Sequence, residues 1–178
     1  ITINGIPGNA LGAYLNGVEI NVYGNAQDAT GDTMNSGAII IHGSSGDATG
    51  YAMRGGKIYI KGNTGYRAGI HMKEYGEQRP VIVIGGRAGS FLGEYQAGGV
   101  IVVLGQNDDG QPIINNFCGT GMHGGKMYIR CKTLPKAIPS QVSASVMHGS
   151  EIPELVNIIS DYCTYFKEFD KNALLDSY

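Results

Sequence analysis

No apolar run in the chain reaches the 18 or so residues that a bilayer-spanning helix needs, and no amino-terminal stretch has the zones of a secretory signal. Cysteine is sparse. Cys118, Cys131 and Cys163 are odd in number and form no C-x-x-C pair, which speaks against a disulfide framework and suits a reducing compartment. These absences lead us to expect a cytoplasmic protein. Basic excess is also missing: 13 Lys and Arg stand against 15 Asp and Glu, for a net charge of −2, so neither nucleic acid nor an anionic membrane is recommended as a partner. The chain begins at Ile1 and not at Met.

What is abundant is glycine, at 29 of 178 residues, more than twice the ordinary share of about 7%. Proline is not enriched and no Gly-X-Y period exists, so the glycines signal tight corners and not collagen or disorder. The remainder is ordinary, with 42% hydrophobic and 16% charged residues, enough for one substantial core.

The glycines keep a frame. Val22 and Ile20 precede Gly24 at two and four residues, and the same pattern recurs before Gly43 (Ile41, Ile39), Gly62 (Ile60, Ile58), Gly85 (Val83, Val81) and Gly105 (Val103, Ile101), with Cys131 closing a sixth copy behind Ile129 and Met127. The anchors lie 19 residues apart from Gly24 to Gly43 and from Gly43 to Gly62, then 23, 20 and 26 apart. A second ladder runs between them: Ala29-Thr30-Gly31, Ala48-Thr49-Gly50, Arg67-Ala68-Gly69, Phe91-Leu92-Gly93 and Gly119-Thr120-Gly121. Period-two β-branched strands punctuated by glycine at a fixed repeat predict stacked parallel strands. The expectation is an all-β, right-handed parallel β-helix of about six to seven coils, two short strands and two glycine corners per coil, roughly 30 Å long at strand spacing. Residues 1–131 would form this domain, 132–149 a linker, and 150–178 a helical extension.

Few residues recommend chemistry. Asp28, Asp32 and Asp47 recur at corners, where turn capping explains them better than a calcium loop. The insertion from Ile70 to Pro80 is charged and aromatic, and should protrude; His71, Met72, Tyr75 and Arg79 are its candidate contact residues. A second insertion, from Asn107 to Asn116, predicts a turn at Asp109-Gly110. Gly119-Thr-Gly121-Met-His-Gly124 satisfies G-x-G-x-x-G in letter only, because a strand and not a helix should follow it. Cys118 beside His123 has no orienting third group, so a packed small residue is the simpler reading.

The strand positions facing away from the coil interior carry more information. Ile40, Tyr59, Ile82, Ile84, Val102 and Leu104 would make an apolar patch too large to leave in water, and we read them as partner-interface candidates. Some of the cover is expected from within the chain. After Ser150-Glu-Ile-Pro153, the residues Leu155, Ile158, Ile159, Tyr162, Phe166 and Phe169 follow helical spacing and give one apolar face. That helix should pack on the repeat or cap its end, with docking on another subunit as the alternative.

The run from Gly43 through Gly46-Asp-Ala-Thr-Gly50-Tyr-Ala-Met-Arg-Gly-Gly56, with Gly85-Gly-Arg-Ala-Gly89-Ser-Phe-Leu-Gly93-Glu-Tyr-Gln-Ala-Gly-Gly99, resembles the GXGXG repeat domain of the glutamate synthase large subunit, in its stand-alone, split-subunit form. One component of formylmethanofuran dehydrogenase shares the repeat more distantly. The resemblance implies a right-handed β-helix with no catalytic, cofactor or metal site in this chain. It further implies a structural role between a glutaminase subunit and a synthase subunit that carries FMN and an iron–sulfur cluster. A component of a formylmethanofuran dehydrogenase-type complex and a free-standing β-helix enzyme are the other readings, the last weakened because no two acids share an outward strand position in adjacent coils. A homo-oligomer is a further partner state to expect.

Overall fold

The computed structural model describes residues 1–106, 110–132, 134–135 and 138–176; the turn expected around Asp109 lies outside these. Seven strands form: β1 (Thr2–Asn4), β2 (Glu19–Tyr23), β3 (Ala38–Ile41), β4 (Lys57–Ile60), β5 (Val81–Ile84), β6 (Ala97–Val103) and β7 (Gly124–Ile129). They make one parallel sheet in the order β1-β2-β3-β4-β5-β6-β7. Two helices follow, α1 (Pro153–Tyr165) and α2 (Lys171–Asp176), after a short 3-10 turn at Gly149–Glu151.

Side chains stack strand on strand because the repeat keeps register. Ile20 pairs with Ile39, Ile39 with Ile58, Ile58 with Ile82, Ile82 with Ile101, and Ile101 with Met127. This column faces an inner core with Ile41, Ile60, Ile84 and Val103, closed on its far side by Met34, Met53, Met72 and Leu92.

The far side corrects the expected fold class. Where a second strand per coil was expected, the described residues form a run of turns, with strand-type pairing between repeats reduced to the isolated bridges Ser45–Thr64, Thr64–Ala88 and Ala88–Ile114. The molecule is therefore one all-parallel sheet with helices against a face, an α/β-like arrangement, and not an all-β right-handed parallel β-helix. The reason is local. Ala29, Gly31 and Thr33 all take positive φ (56°, 73° and 51°), as do Ala48, Gly50 and Ala52 (54°, 71° and 48°), so the chain there cannot stay extended. Successive turn runs still hydrogen-bond: Ala29 N–H donates to Asp47 O at 2.8 Å, and Gly31 N–H to Leu11 O at 2.8 Å.

Corner side chains reinforce the stacking across one repeat. Asp28 Oδ1 accepts the N–H of Asp47 and Asp47 Oδ1 that of Tyr66, both at 2.8 Å. Asn25 Oδ1 likewise accepts from Ser44 at 2.8 Å. These side chains cap the next repeat's backbone and not their own turn.

A second correction concerns β5. Ile60 pairs with Ile84, and Gly86 N–H donates to Gly62 O at 2.8 Å, so Gly86 and not Gly85 occupies the anchor slot. The step from Ile58 to Ile82 is 24 residues. A one-residue slip exchanges the faces of a strand: Ile82 and Ile84 point into the inner core, while Val81 and Val83 face outward.

Candidate functional site

The outward face of the sheet is a second apolar cluster. Ile40, Tyr59, Val83, Val102 and Leu104 pack there against Leu155, Ile158, Ile159, Tyr162 and Phe166 of the α1 region and against Leu174 and Leu175 of α2. Pro153 sits in the first turn of α1, where its missing N–H has no partner to lose. Leu155, Ile158, Ile159 and Tyr162 then fall on one side of the helix, and all four are buried. Of the six sheet residues expected at a partner interface, Ile40, Tyr59, Val102 and Leu104 lie beneath the chain's own helices, and Ile82 and Ile84 lie in the inner core. All six are 2% exposed or less.

A rim of polar contacts seats the helices. Lys57 meets Asp161, and Lys61 meets Glu168 at 2.6 Å. Tyr165 donates its hydroxyl to Glu19 at 3.0 Å. Glu154 is the densest node, receiving Tyr128 Oη–H at 2.9 Å, Lys126 Nζ at 3.1 Å and the Arg79 guanidinium. Burial alone would raise its carboxyl, but the Tyr128 and Lys126 hydrogen bonds and the two cations outweigh burial and hold it below the usual carboxylate value. Burial, with the nearby Asp161 carboxylate, pushes the Tyr59 phenol well above its ordinary value.

The insertion residues go to four different places. Met72 is fully buried in the inner core. Arg79 bridges Glu74 at 3.1 Å and Glu154, tying the insertion to α1. Tyr75 is 66% exposed at the tip, where it and Gln78 exchange backbone hydrogen bonds of 3.2 and 3.0 Å. His71 is exposed; its ring stacks on Tyr95 with centroids 5.1 Å apart and meets Tyr51 edgewise at 6.0 Å.

Those ring contacts belong to a feature that sequence reasoning missed. Tyr51, Tyr66, Tyr95 and Phe117 are exposed on the turn side. Phe91 stacks on Phe117 at 4.8 Å, and the Arg67 guanidinium lies 4.8 Å over Phe91. Arg67, Phe91 and Phe117 take positive φ two residues before Gly69, Gly93 and Gly119, so the fifth rung is Phe117-Cys118-Gly119 and not the expected Gly119-Thr120-Gly121.

At the β7 end a cavity of about 880 Å3 opens. Ile114, Cys118 and Met122 line it on the inner side, Leu104, Leu155 and Leu174 on the outer, and residues of the 138–147 segment arch over it. Burial pushes the Cys118 thiol up to about 11, and its sulfur contact is Met127 Sδ at 3.7 Å. His123 instead turns Nδ1 to Gly121 O at 3.0 Å, so no Cys–His nucleophile is assembled. Gly124 opens β7 and no helix, which removes the dinucleotide reading of the neighbouring glycines.

Among the described residues no helix is long and apolar enough to cross a membrane. An uncharacterized protein of Methanocaldococcus jannaschii is 48% identical over 182 residues, an alignment covering 99% of this chain and 70% of that protein. No solved structure gives a significant match. The GXGXG motif family matches residues 1–178, the full length of the chain. The chain belongs to the GXGXG motif family.

Proposed function

We propose that the chain is a non-catalytic structural subunit of a glutamate synthase-type complex, in which it holds a glutaminase subunit and an FMN and iron–sulfur synthase subunit together. The observation that carries this reading is the stacking of each strand on the next from β1 to β7, in register except for a shift between Ala97 and Val100 of β6. Six steps of strand stacking set the two ends of the sheet about 29 Å apart, and interleaved backbone and side-chain hydrogen bonds lock the repeats to one another. Such a sheet is a rigid spacer. Family membership and the motif resemblance supply the partners, and FMN and the iron–sulfur cluster reside on the synthase subunit in this reading.

The outward sheet face is covered within the chain, so contacts with partners use the remaining surfaces. Of the candidate contact residues on the insertion, His71, Tyr75 and Arg79 are presented to solvent, Arg79 while bridging Glu74 and Glu154, and Met72 is not. The test is affinity purification of the tagged chain from the cells that make it, with mass spectrometry of what accompanies it. Co-purification of a glutaminase-like protein and a flavin, iron–sulfur protein is the expected result. Recovery of molybdenum- or tungsten-enzyme subunits would place the chain with formylmethanofuran dehydrogenase instead, and a monomer without companions would overturn the subunit assignment.

A further inference from the structure

Parallel strands pair through alternate residues: a residue exchanges its N–H and C=O with one neighbour, and the next residue with the other. Arg130 N–H donates to Val103 O at 2.9 Å, so Met127 and Ile129, out of phase with Arg130, turn their main-chain groups away from β6. Among the described residues no strand follows β7 in the sheet. In the segment that arches over it, Val142 N–H bonds inside that segment, to Pro139 O at 2.9 Å. The edge of β7 is therefore an open template for main-chain pairing.

The cavity wraps this same edge, with apolar walls on both sides of the sheet. Its size decides what fits. A strand fills about 3.3 Å along its axis, 4.8 Å across and 10 Å in depth per residue, or roughly 160 Å3. The cavity of about 880 Å3 thus holds five or six residues of one additional strand, and β7 itself has six. Charge sets the flank. Lys126, Arg130 and Lys132 line the cavity along β7 and its exit, and Lys126 stays 55% exposed at its side chain while meeting Glu154.

We propose that the β7 edge binds an extended segment of a partner protein as an eighth strand, a continuous apolar run of five or six residues flanked by acidic residues. The run is continuous, and not alternating, because both sides of the sheet are apolar at this edge. That the segment comes from a subunit of the complex rests on the scaffold reading above; the site itself rests on the geometry.

The probe is a synthetic peptide of about eight residues, valine and threonine at its centre and two glutamates at one end. Hydrogen exchange is followed in the full chain. With the peptide saturating, the Met127 and Ile129 amides should slow by at least about tenfold. A lysine-ended version should bind roughly fivefold more weakly at low salt, and Lys132→Glu should narrow that preference. Ile129→Pro removes an outward N–H without touching the β6 ladder and should abolish protection. Absence of slowing would overturn the proposal. So would amides already slow in the free chain, which would give the edge to the 138–147 segment, or slowing that follows chain concentration alone, which would give it to a second copy. Since the peptide assay needs no glutamate synthase subunit, its failure leaves the scaffold reading intact, and empty purifications leave the peptide result intact.

Discussion

Gly50 and Ile82 occupy adjoining space: a Cβ built on Gly50 would stand 2.4 Å from Ile82 Cδ1. Gly50 also has φ of +71°, so the position excludes a side chain both by backbone conformation and by packing. We expect Gly50→Ala to lower the unfolding free energy by about 2–4 kcal/mol, the left-handed penalty and an overpacked core acting together. Chemical denaturation checks it. An unchanged midpoint would mean that the inner column yields without cost.

Ile159 is 1% exposed between α1 and the sheet. Ile159→Ala should cost about 2–4 kcal/mol through lost burial and the cavity left behind. The measurement is thermal unfolding followed by helix signal. A loss of helix signal well before the sheet unfolds would show that α1 detaches as a separate unit.

Acid should act in two windows. His42 stacks on Tyr23 at 4.2 Å and meets the edge of Phe166 at 5.2 Å. Burial first, and then the Lys61 ammonium, lowers its pKa, with Glu168 opposing. A histidine lowered in the fold takes up protons more readily when unfolded, so its contribution is present above about pH 6.5 and is lost as pH falls through the folded value. His42→Phe keeps an aromatic ring at this position and should flatten the fall of stability that begins below about pH 6.5.

Glu154 is lowered as well, so its contribution holds above the ordinary carboxylate value of about 4.3 and disappears as pH falls through the folded one. Glu154→Gln should remove that part of the acid transition and leave the His42 part in place. Equal acid profiles for wild type and variant would show that the Arg79–Glu154–Lys126 node does not hold α1.

Cys118 should react slowly. With its thiol pushed up to about 11, the thiolate fraction at pH 8 is on the order of a hundredfold below that of a free cysteine. Iodoacetamide labelling, native against unfolded, reads this ratio by mass spectrometry. Labelling at the unfolded rate would show that the β7 end is open to water.

Much of the fold was legible because it is written locally. The valine and isoleucine pairs before Gly24, Gly43, Gly62 and Gly105 mark strands that form, and the helical spacing from Leu155 to Tyr162 marks α1. Two readings miss for physical reasons. The turn ladder around Ala29, Ala48 and Arg67 reads as a second strand, because alanine and arginine seldom accept positive φ and nothing in the letters announces it. Gly85-Gly86 offers two equivalent anchors, and choosing between them requires knowing which of Ile82 and Val83 meets the neighbouring strand.

The sequence by itself determined where strands, corners and the terminal helix lie, since side-chain periodicity and glycine act over a few residues. Tertiary structure alone decided the rest: the face that β5 presents, the closing of the sheet's apolar surface by α1 and α2, and the open edge at β7. Each of those is a choice between contacts of similar local energy, settled only by which distant surfaces meet and exclude water.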